Sequence, residues 1–381
     1  MKVLLATPHK NVTGGISRWA QNIISFYREN ASEVDMDILS FDEAKEHKAE
    51  YFISKGYFKR VIRGVRVYGR AIKVLLRKIK KDKYDVIHIA SSATWGLLRD
   101  IVIIQIAHRK GVKCVVHFHF GRIPELSQRR NWEWRLLKHV VKKADKTVVM
   151  DKLSYDTLTL NDFNNVEYVP NPLSPIVNDI IKDYEGQTRS NNVVMFAGQC
   201  VQEKGIYELV EACNSIPNVE LRIYGAITKQ VEDELRKKWE SKHSTLHIMG
   251  NRSFEEIIGA MSMCGVFVLP TYTEGFPNVI LESMACGCAI VTTPVGAISE
   301  MLEEEDGKNF GIMVEPRNVG QLKNAIEKML SDAEFRKKCQ VNAQQRVNKR
   351  YSLDSICPKI TAIWKDVIST TNTKDTKKHI N

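Results

Sequence analysis

The stretch TEGFPNVILESMACG, residues 273–287, joins an apolar run to a helical pattern and carries two acids, Glu274 and Glu282. The preceding run GVFVLP ends at Pro270 and predicts a strand, and Pro277 suits the first turn of the helix that follows the loop. In an open parallel sheet, the loop after a strand lies at the carboxyl edge, where ligands bind. We therefore expect both acids to face the same opening.

The same alternation of short Val- and Ile-rich runs with longer helical patterns extends over the chain in two series. The first contains KVLLATP, DVIHIA, KCVVHFH and KTVVMD, which begin at residues 2, 85, 113 and 146. The second contains NVVMFAG, VELRIYG, TLHIMG, GVFVLP, AIVTTP and GIMVEP, which begin at residues 192, 219, 245, 265, 289 and 311. This pattern predicts an α/β fold with two doubly wound, Rossmann-like domains and an interdomain cleft as the ligand site.

A polar, proline-containing segment between residues 161 and 192 has the composition of an interdomain connector. We place the N-terminal domain at residues 1–170 and the C-terminal domain at residues 171–350. A helix over 351–370 is expected to pack back on the N-terminal domain, and the charged segment 371–381 is expected to be a disordered tail.

The composition of the 381 residues indicates an ordinary soluble protein with an excess of positive charge. Hydrophobic residues make up 43%, and the formal net charge is +11, which favours phosphate-bearing or anionic-lipid partners. The eight cysteines contain no CxxC pair, and the sequence shows no secretory leader and no apolar run of about 18 residues. We expect reduced, buried thiols in a cytoplasmic protein.

The two acids suit a ligand that carries hydroxyl groups at both ends and phosphate between them. Carboxylates accept hydrogen bonds from vicinal hydroxyls, and the free N–H groups at a helix start attract anions. The alternative is that Glu282 complements the helix dipole and Glu274 is a solvated loop acid.

From about Val193 to Glu315, the chain resembles the retaining glycosyltransferases of family 4, which have the GT-B fold, and in particular those of bacterial surface-polysaccharide synthesis. The resemblance rests on Glu274-GFPNVIL-Glu282, preceded by VLPTYT and followed by ACGCAIVTTPVGAISE. It implies transfer of a hexose-type sugar from a nucleoside-diphosphate sugar, a UDP- or GDP-sugar, to a hydroxyl of a lipid-linked glycan acceptor. The N-terminal domain is then the acceptor domain, and the C-terminal domain binds the nucleotide sugar.

The resemblance also implies roles for individual residues. Glu274 contacts the transferred sugar, Glu282 contacts the ribose, and Lys204, in FAGQCVQEKG from Phe196, contacts the leaving phosphate. Gln199 stands where the family commonly has a cation, so either another basic residue compensates or the diphosphate is held less tightly. The implied donor-binding set is Gly15, Gln199, Lys204, Glu274, Gly275, Phe276, Pro277, Asn278 and Glu282.

Two features of the N-terminal half complete the predicted site. Gly14 and Gly15 precede a helix, where they let a ligand approach backbone N–H groups or simply make a tight turn. His117 and His119 alternate along one strand and share a face, with Phe118 opposite. The resemblance implies that His119 lies near the transferred sugar, and we interpret His117 as its structural partner.

The sequence predicts no metal and no cofactor. No carboxylate or thiol completes a metal-ligand set with the two histidines. Asp35 and Asp37 form an Asp-x-Asp pair in a predicted early strand, far from the other motifs, and we interpret them as structural. The resemblance implies that the anomeric configuration is retained by same-face attack, with a phosphate oxygen helping to take the acceptor's proton.

Two basic stretches lie in the first half, at residues 59–83 and 128–143. The second includes Trp132 and Trp134. Basic amphipathic helices of this kind can lie on an anionic membrane, so peripheral contact with the inner face of the cell membrane is one hypothesis. Core-packed helices with a solvated basic face are the other. Nucleic acid is not expected as a partner, because no RNA- or DNA-binding module is recognisable.

Two other functions are consistent with the sequence. A sugar-nucleotide epimerase or hydrolase on the same fold would form product without an acceptor. A noncatalytic binder of anionic lipid or nucleic acid would have no nucleotide-sugar affinity.

Overall fold

The computed structural model describes residues 1–8, 15–30, 33–41 and 57–376, with the side chains of 57–67 and 371–376 left out. The chain divides into two compact units. Unit 1 comprises Met1–Pro172 and Leu353–Asn381, and unit 2 comprises Leu173–Ser352.

Unit 1 contains a six-stranded parallel sheet in the order β2-β1-β3-β4-β5-β6. Its strands are β1 Lys2–Thr7, β2 Asp35–Ser40, β3 Val86–Ser91, β4 Lys113–Phe118, β5 Lys146–Val149 and β6 Val166–Tyr168. Its first helices are α1 Gly15–Glu29, α2 Tyr57–Lys81, α3 Gly96–Arg109, α4 Ile123–Arg129, α5 Trp132–Lys143 and α6 Lys152–Thr159. The near-continuous apolar strands are buried on both faces, as parallel sheets require.

Unit 2 contains a second six-stranded parallel sheet, in the order β12-β11-β10-β7-β8-β9. Its strands are β7 Ser190–Ala197, β8 Glu220–Tyr224, β9 Thr245–Gly250, β10 Cys264–Leu269, β11 Ala289–Thr292 and β12 Ile312–Met313. Its helices are α7 Pro175–Lys182, α8 Ile206–Asn214, α9 Lys229–Lys238, α10 Phe254–Met263, α11 Asn278–Ala285, α12 Ile298–Leu302, α13 Val319–Ser331 and α14 Ala333–Tyr351. The prediction of two doubly wound α/β halves is confirmed.

The last helix, α15 Leu353–Thr376, packs on the sheet of unit 1. Its buried residues Ile356, Ile360 and Trp364 share a core with Val3 and Leu5 of β1 and with α1. The Tyr27 hydroxyl of α1 donates to the Cys357 carbonyl, 2.9 Å away. The opposite face of the sheet is covered by a separate core that includes residues of α2 to α6.

Regular structure extends into two segments for which the sequence predicted none. The predicted connector 161–192 contains β6 of unit 1 and α7 of unit 2, and the boundary between the two units falls within it, after Pro172. Pro175 is the first residue of α7, where a missing N–H costs no helical hydrogen bond. The final helix also continues to Thr376, past the start of the predicted tail at residue 371, while residues 377–381 lie outside the described part.

All eight cysteines are free and buried, as predicted. Among the described residues, none of the helices has the length and apolarity needed to cross a bilayer.

Candidate active site

The acid that follows β10 is paired with the predicted phosphate-binding lysine. The Lys204 ammonium forms a short ion pair with Glu274 Oε1, and both side chains are largely buried. Lys204 ends a single 3-10 turn, Gln202–Lys204, that follows β7, and Glu274 lies in the loop after β10. Because β7 and β10 are neighbours in the sheet, two segments 70 residues apart meet at its carboxyl edge.

Close backbone contact holds the lysine turn against this loop. The Tyr272 N–H donates to the Glu203 carbonyl at 2.8 Å. Gly205 ends the turn at φ +69°, and a Cβ atom at this position would lie 2.1 Å from the Pro270 carbonyl oxygen. Only glycine satisfies both demands, so the Lys-Gly pair works as a unit that places the ammonium beside Glu274.

A second glycine supports the loop from the β11 side. Gly296 has φ +57°, and a Cβ atom there would lie 2.3 Å from the Glu274 carbonyl oxygen. The next residue, Ala297, donates its N–H to the Gly275 carbonyl at 2.9 Å. Within the described residues, the N–H groups of Gly275 and Phe276 have no protein acceptor, so they remain available to a ligand.

The helix α11 carries the second acid. Asn278 is its first residue, and Pro277 occupies the N-cap position, one residue earlier than the predicted first turn. No side chain caps this helix start, which leaves its N–H groups suited to an anion. Glu282 is 6% exposed, so its side chain is buried. Glu274 is 15% exposed and paired with Lys204, so it is not the solvated loop acid of the alternative interpretation.

Gln199 is exposed after β7, and its side chain has no partner among the described residues.

The structure adds one cation that the sequence did not single out. The Arg317 guanidinium lies over the Tyr272 ring, 4.4 Å from its centroid, and so borders the loop that carries Glu274. Arg317 follows β12 in an irregular segment, and no motif marks it.

In unit 1, His119 lies in a buried group of rings at the carboxyl end of β4. His117 and His119 stack with centroids 4.2 Å apart, which confirms that they share a face, while Phe118 packs in the opposite core. Trp19 of α1 contacts all three histidines of the group, at 5.5 Å from His88, 4.9 Å from His117 and 4.4 Å from His119. Sequence reasoning missed Trp19 and His88, because each looks like an ordinary core position.

The histidines of this group are neutral. Burial lowers the pKa of His88 to about 3, and burial followed by the nearby His88 lowers the pKa of His119 to about 3. Burial also lowers the pKa of His117 well below its usual value, with smaller contributions from its two neighbours. The Trp364 indole N–H donates to His88 Nδ1 at 3.0 Å, so the proton of neutral His88 is on Nε2.

Several polar atoms in this group are buried without a hydrogen-bond partner in the part of the chain that the structure describes, namely Trp19 Nε1, His88 Nε2, both ring nitrogens of His117, and His119 Nε2. His119 as a residue is only half-buried. Buried donors and acceptors of this kind call for water or a ligand group. A neutral imidazole at His119 can donate or accept one hydrogen bond to a sugar hydroxyl.

The remaining predicted residues fall outside these two groups. Gly15 is the exposed first residue of α1, and Gly14 lies outside the described residues. Asp37 accepts a hydrogen bond from the Tyr84 hydroxyl at 2.5 Å, and Asp35 forms an ion pair with Lys2 at 3.5 Å. In the described ranges, no group of three or more His, Cys, Asp or Glu side chains could hold a metal ion.

The two basic stretches lie on helices of unit 1. Residues 59–83 form most of α2, and residues 128–143 include the end of α4 and all of α5. Of the two tryptophans in the second stretch, Trp132 is exposed, but Trp134 is 3% exposed and belongs to the core. Trp134 therefore lies on the buried side of α5, as in the core-packed alternative, while Trp132 lies on its exposed side.

Comparisons with known proteins match both halves of the chain. The family described as "Glycosyl transferases group 1" matches residues 178–346, and "Glycosyltransferase Family 4" matches residues 13–175. Together the two matches cover most of the chain.

Two relatives and two solved structures show how far the likeness extends. The chain is 24% identical to an uncharacterized glycosyltransferase of Methanocaldococcus jannaschii, over 96% of this chain and 99% of that protein. It is also 24% identical to the UDP-Gal:alpha-D-GlcNAc-diphosphoundecaprenol alpha-1,3-galactosyltransferase of Escherichia coli, over 68% and 69%. Sucrose-phosphate synthase from Thermosynechococcus elongatus has a TM-score of 0.75 at 18% identity, over 97% and 99% of the two chains. Anabaena HepE in complex with UDP has a TM-score of 0.69 at 17% identity, over 96% and 100%.

Proposed function

The chain belongs to the family 4 glycosyltransferases and has the α/β architecture of the GT-B fold, and we propose that it is a retaining hexosyltransferase. The donor is a UDP- or GDP-sugar, and the acceptor is a hydroxyl of a lipid-linked glycan in surface-polysaccharide synthesis. The E. coli relative supports both parts, since its name describes a UDP-sugar donor and a diphosphoundecaprenol acceptor. In this proposal the enzyme acts in the cytoplasm at the inner face of the cell membrane.

The direct contact between Lys204 and Glu274 is the observation that carries the proposal. A sugar 1-phosphate presents hydroxyls and charged phosphate oxygens close together on one molecule. An ammonium group beside a carboxylate can donate hydrogen bonds to the phosphate, and the carboxylate can accept hydrogen bonds from the neighbouring hydroxyls. A simple phosphate site would not place a carboxylate there, because the two anions repel.

The leaving group is stabilised by fixed positive charge. Breaking the bond to the anomeric carbon leaves negative charge on the diphosphate, which Lys204 and the N–H groups of Gly275 and Phe276 can stabilise. The glycine contacts at 205 and 296 fix these donors before the reaction begins, so they need little rearrangement as charge develops. Arg317 is the cation available to offset Gln199.

The acceptor hydroxyl attacks the same face of the sugar from which the diphosphate departs. A phosphate oxygen helps to take the acceptor's proton, so the anomeric configuration is kept. Neutral His119 hydrogen-bonds to the transferred sugar and takes no proton, because its low pKa makes imidazolium costly. No metal is assigned a role.

The test is a thermal-shift and calorimetric screen of the purified chain against UDP, GDP, ADP, CMP and their common sugars. Glu282→Gln is run beside Glu304→Gln, which changes an exposed acid of unit 2. We expect one nucleotide class to bind and Glu282→Gln to weaken its affinity about 10- to 100-fold, the typical effect of removing a charged hydrogen-bond acceptor. Equal affinity in both variants would mean that Glu282 does not hold the nucleotide.

A second measurement checks the reaction. NMR of the product formed from the bound donor should show the donor's anomeric configuration. Inversion would rule out the same-face mechanism, and sugar release that proceeds equally fast without an acceptor would identify a hydrolase.

A further inference from the structure

The start of α3 in unit 1 exposes a continuous apolar surface. Trp95 precedes the helix and is 54% exposed, Leu98 is 42% exposed, and Val102 is 37% exposed. Their spacing of three and four residues places them on one side of α3. Trp132, the first residue of α5, is 48% exposed and contacts Trp95 with ring centroids 5.2 Å apart. We call these four residues the tryptophan ridge.

Hydrogen bonds to one buried acid fix the backbone next to the ridge. The Glu133 carboxylate, itself 4% exposed, accepts the Thr94 N–H at 2.7 Å and the Arg122 guanidinium at 2.6 Å. Thr94 is in the left-handed region at φ +66°. One buried acid therefore fixes the loop beside Trp95 and lies next to Trp132 in the chain. Exposing two such rings is unfavourable in water unless something covers them.

Basic residues lie on both sides of the ridge. The helix α3 contacts α2 on one side and α5 on the other. Among the described side chains, the exposed cations are Arg70, Lys73, Arg77, Lys80 and Lys81 on α2, and Arg129, Arg130, Arg135, Lys142 and Lys143 on and before α5. The sequence of α2 contains no acid. Two basic stretches that are separate in sequence thus flank one apolar surface.

We propose that the tryptophan ridge inserts into an anionic lipid bilayer while the two basic helices bind its headgroups. Indole rings favour the membrane interface, aliphatic side chains favour the acyl region, and cations near an anionic surface are attracted to its headgroups. The inference rests on the proposed function in that a lipid-linked acceptor is found at such a surface. The tryptophan ridge inserts into the bilayer, and the cations of α2 and α5 attract the anionic headgroups.

A soluble glycan is the competing occupant of two exposed tryptophans. The ridge continues along α3 to Leu98 and Val102, whose aliphatic side chains offer sugar hydroxyls no hydrogen bond. Among the described residues, the exposed charged side chains of α2 and α5 are all cations, while the neighbouring α4 exposes one acid, Glu125, which pairs with Arg129. This excess of positive charge suits an anionic surface. These two features favour the bilayer.

The test is flotation of the full chain with vesicles of phosphatidylglycerol and phosphatidylethanolamine, and separately with phosphatidylcholine alone. We compare the double variant Trp95→Gln/Trp132→Gln with Leu160→Gln, a control at an exposed leucine of unit 1 outside the ridge. The original chain should bind the anionic vesicles, and the double variant should lose about tenfold or more in partition coefficient. The control should stay within about twofold.

Several outcomes would overturn the proposal. These are no binding to anionic vesicles, equal binding to phosphatidylcholine, or salt-sensitive binding that the double variant leaves unchanged. Loss of affinity for a water-soluble acceptor glycan without loss of vesicle binding would assign the ridge to sugar. Nucleotide affinity, measured on the same samples, should be equal in all variants, so a failure of the donor proposal appears separately.

A labelled variant keeps the test independent of the folding of the double variant. Leu98→Cys carrying an environment-sensitive fluorophore should shift to the blue on anionic vesicles, whereas the same label at Leu160→Cys should not. An unshifted label at residue 98 on bound protein would contradict insertion.

Discussion

The two candidate sites use opposite physical means. In unit 2, Lys204 and Glu274 are charged and paired, and backbone contacts at two glycines hold them. In unit 1, His117 and His119 are neutral and lie against the indole ring of Trp19. A charged site suits the diphosphate, whose charge grows as the bond breaks, whereas a neutral site suits a sugar hydroxyl. The candidate donor site therefore depends on Coulomb energy, and the histidine site depends on burial.

Acidification should separate the two units. In the folded state, His88 titrates near pH 3 and His117 well below its usual pKa, whereas an unfolded histidine titrates near pH 6.5. Below pH 6.5 the unfolded chain therefore binds protons that the folded chain does not. This contribution to stability is complete above pH 6.5 and is lost as the pH falls toward 3. We expect His88 to account for a loss of about 2 kcal/mol between pH 7 and pH 5, and His117 to add a further loss in the same direction.

Guanidinium unfolding at the two pH values, followed by tryptophan fluorescence, measures this loss, because five of the six tryptophans belong to unit 1. Pulse proteolysis with mass spectrometry assigns the cleaved fragments to each unit. The described histidines of unit 2, His243 and His247, are not buried, so unit 2 should lose less stability. If both units lost the same stability between the two pH values, the buried histidines would not be what distinguishes unit 1.

Replacing the lysine should test the charged site. We expect Lys204→Met to lower turnover about 100- to 1,000-fold, the range found when one donor to a developing anion is removed. Initial rates and nucleotide affinity together show whether the loss lies in the chemical step. The matched control is Lys242→Met, at an exposed lysine of unit 2. If turnover in Lys204→Met stays within about threefold of the control, Lys204 does not stabilise the leaving group.

The smallest effect concerns the contact between α15 and the histidines. Trp364→Phe removes the donor to His88 Nδ1 but keeps an aromatic ring, so we expect a loss of about 1 to 2 kcal/mol in unfolding free energy. The nitrogen resonances of His88 should also change, because its tautomer is no longer fixed. The aromatic control is Phe335→Leu in unit 2. Unchanged His88 resonances would show that the indole does not set the tautomer.

Much of the fold could be predicted, because buried parallel strands leave a strong mark in the sequence. The apolar runs at residues 2, 85, 113 and 146 start within one residue of β1, β3, β4 and β5. The short β6 escaped prediction because a strand of three residues is too short for a pattern. The helix α7 was hidden by the prolines around it, which indicate both linkers and helix starts.

The candidate donor site could be predicted in part for a similar reason. Glu274, Gly275, Phe276 and Glu282 are neighbours in sequence, and the resemblance joined them to Lys204. Their roles stay predictions, as does the effect of Gln199. Arg317 could not be found, because its place beside Tyr272 depends on how the segment after β12 folds.

The sequence by itself determined the two parallel sheets, the strand-loop-helix that carries both acids, and the common face of His117 and His119. All of these follow from periodicity or from residues close together in the chain. Only the tertiary structure decided that Trp19 contacts His88, His117 and His119, that Trp364 donates to His88, and that Trp95 meets Trp132 at the start of the basic helix α5. The physical reason is that such contacts depend on which helix faces which neighbour, and packing sets this over distances of up to hundreds of residues.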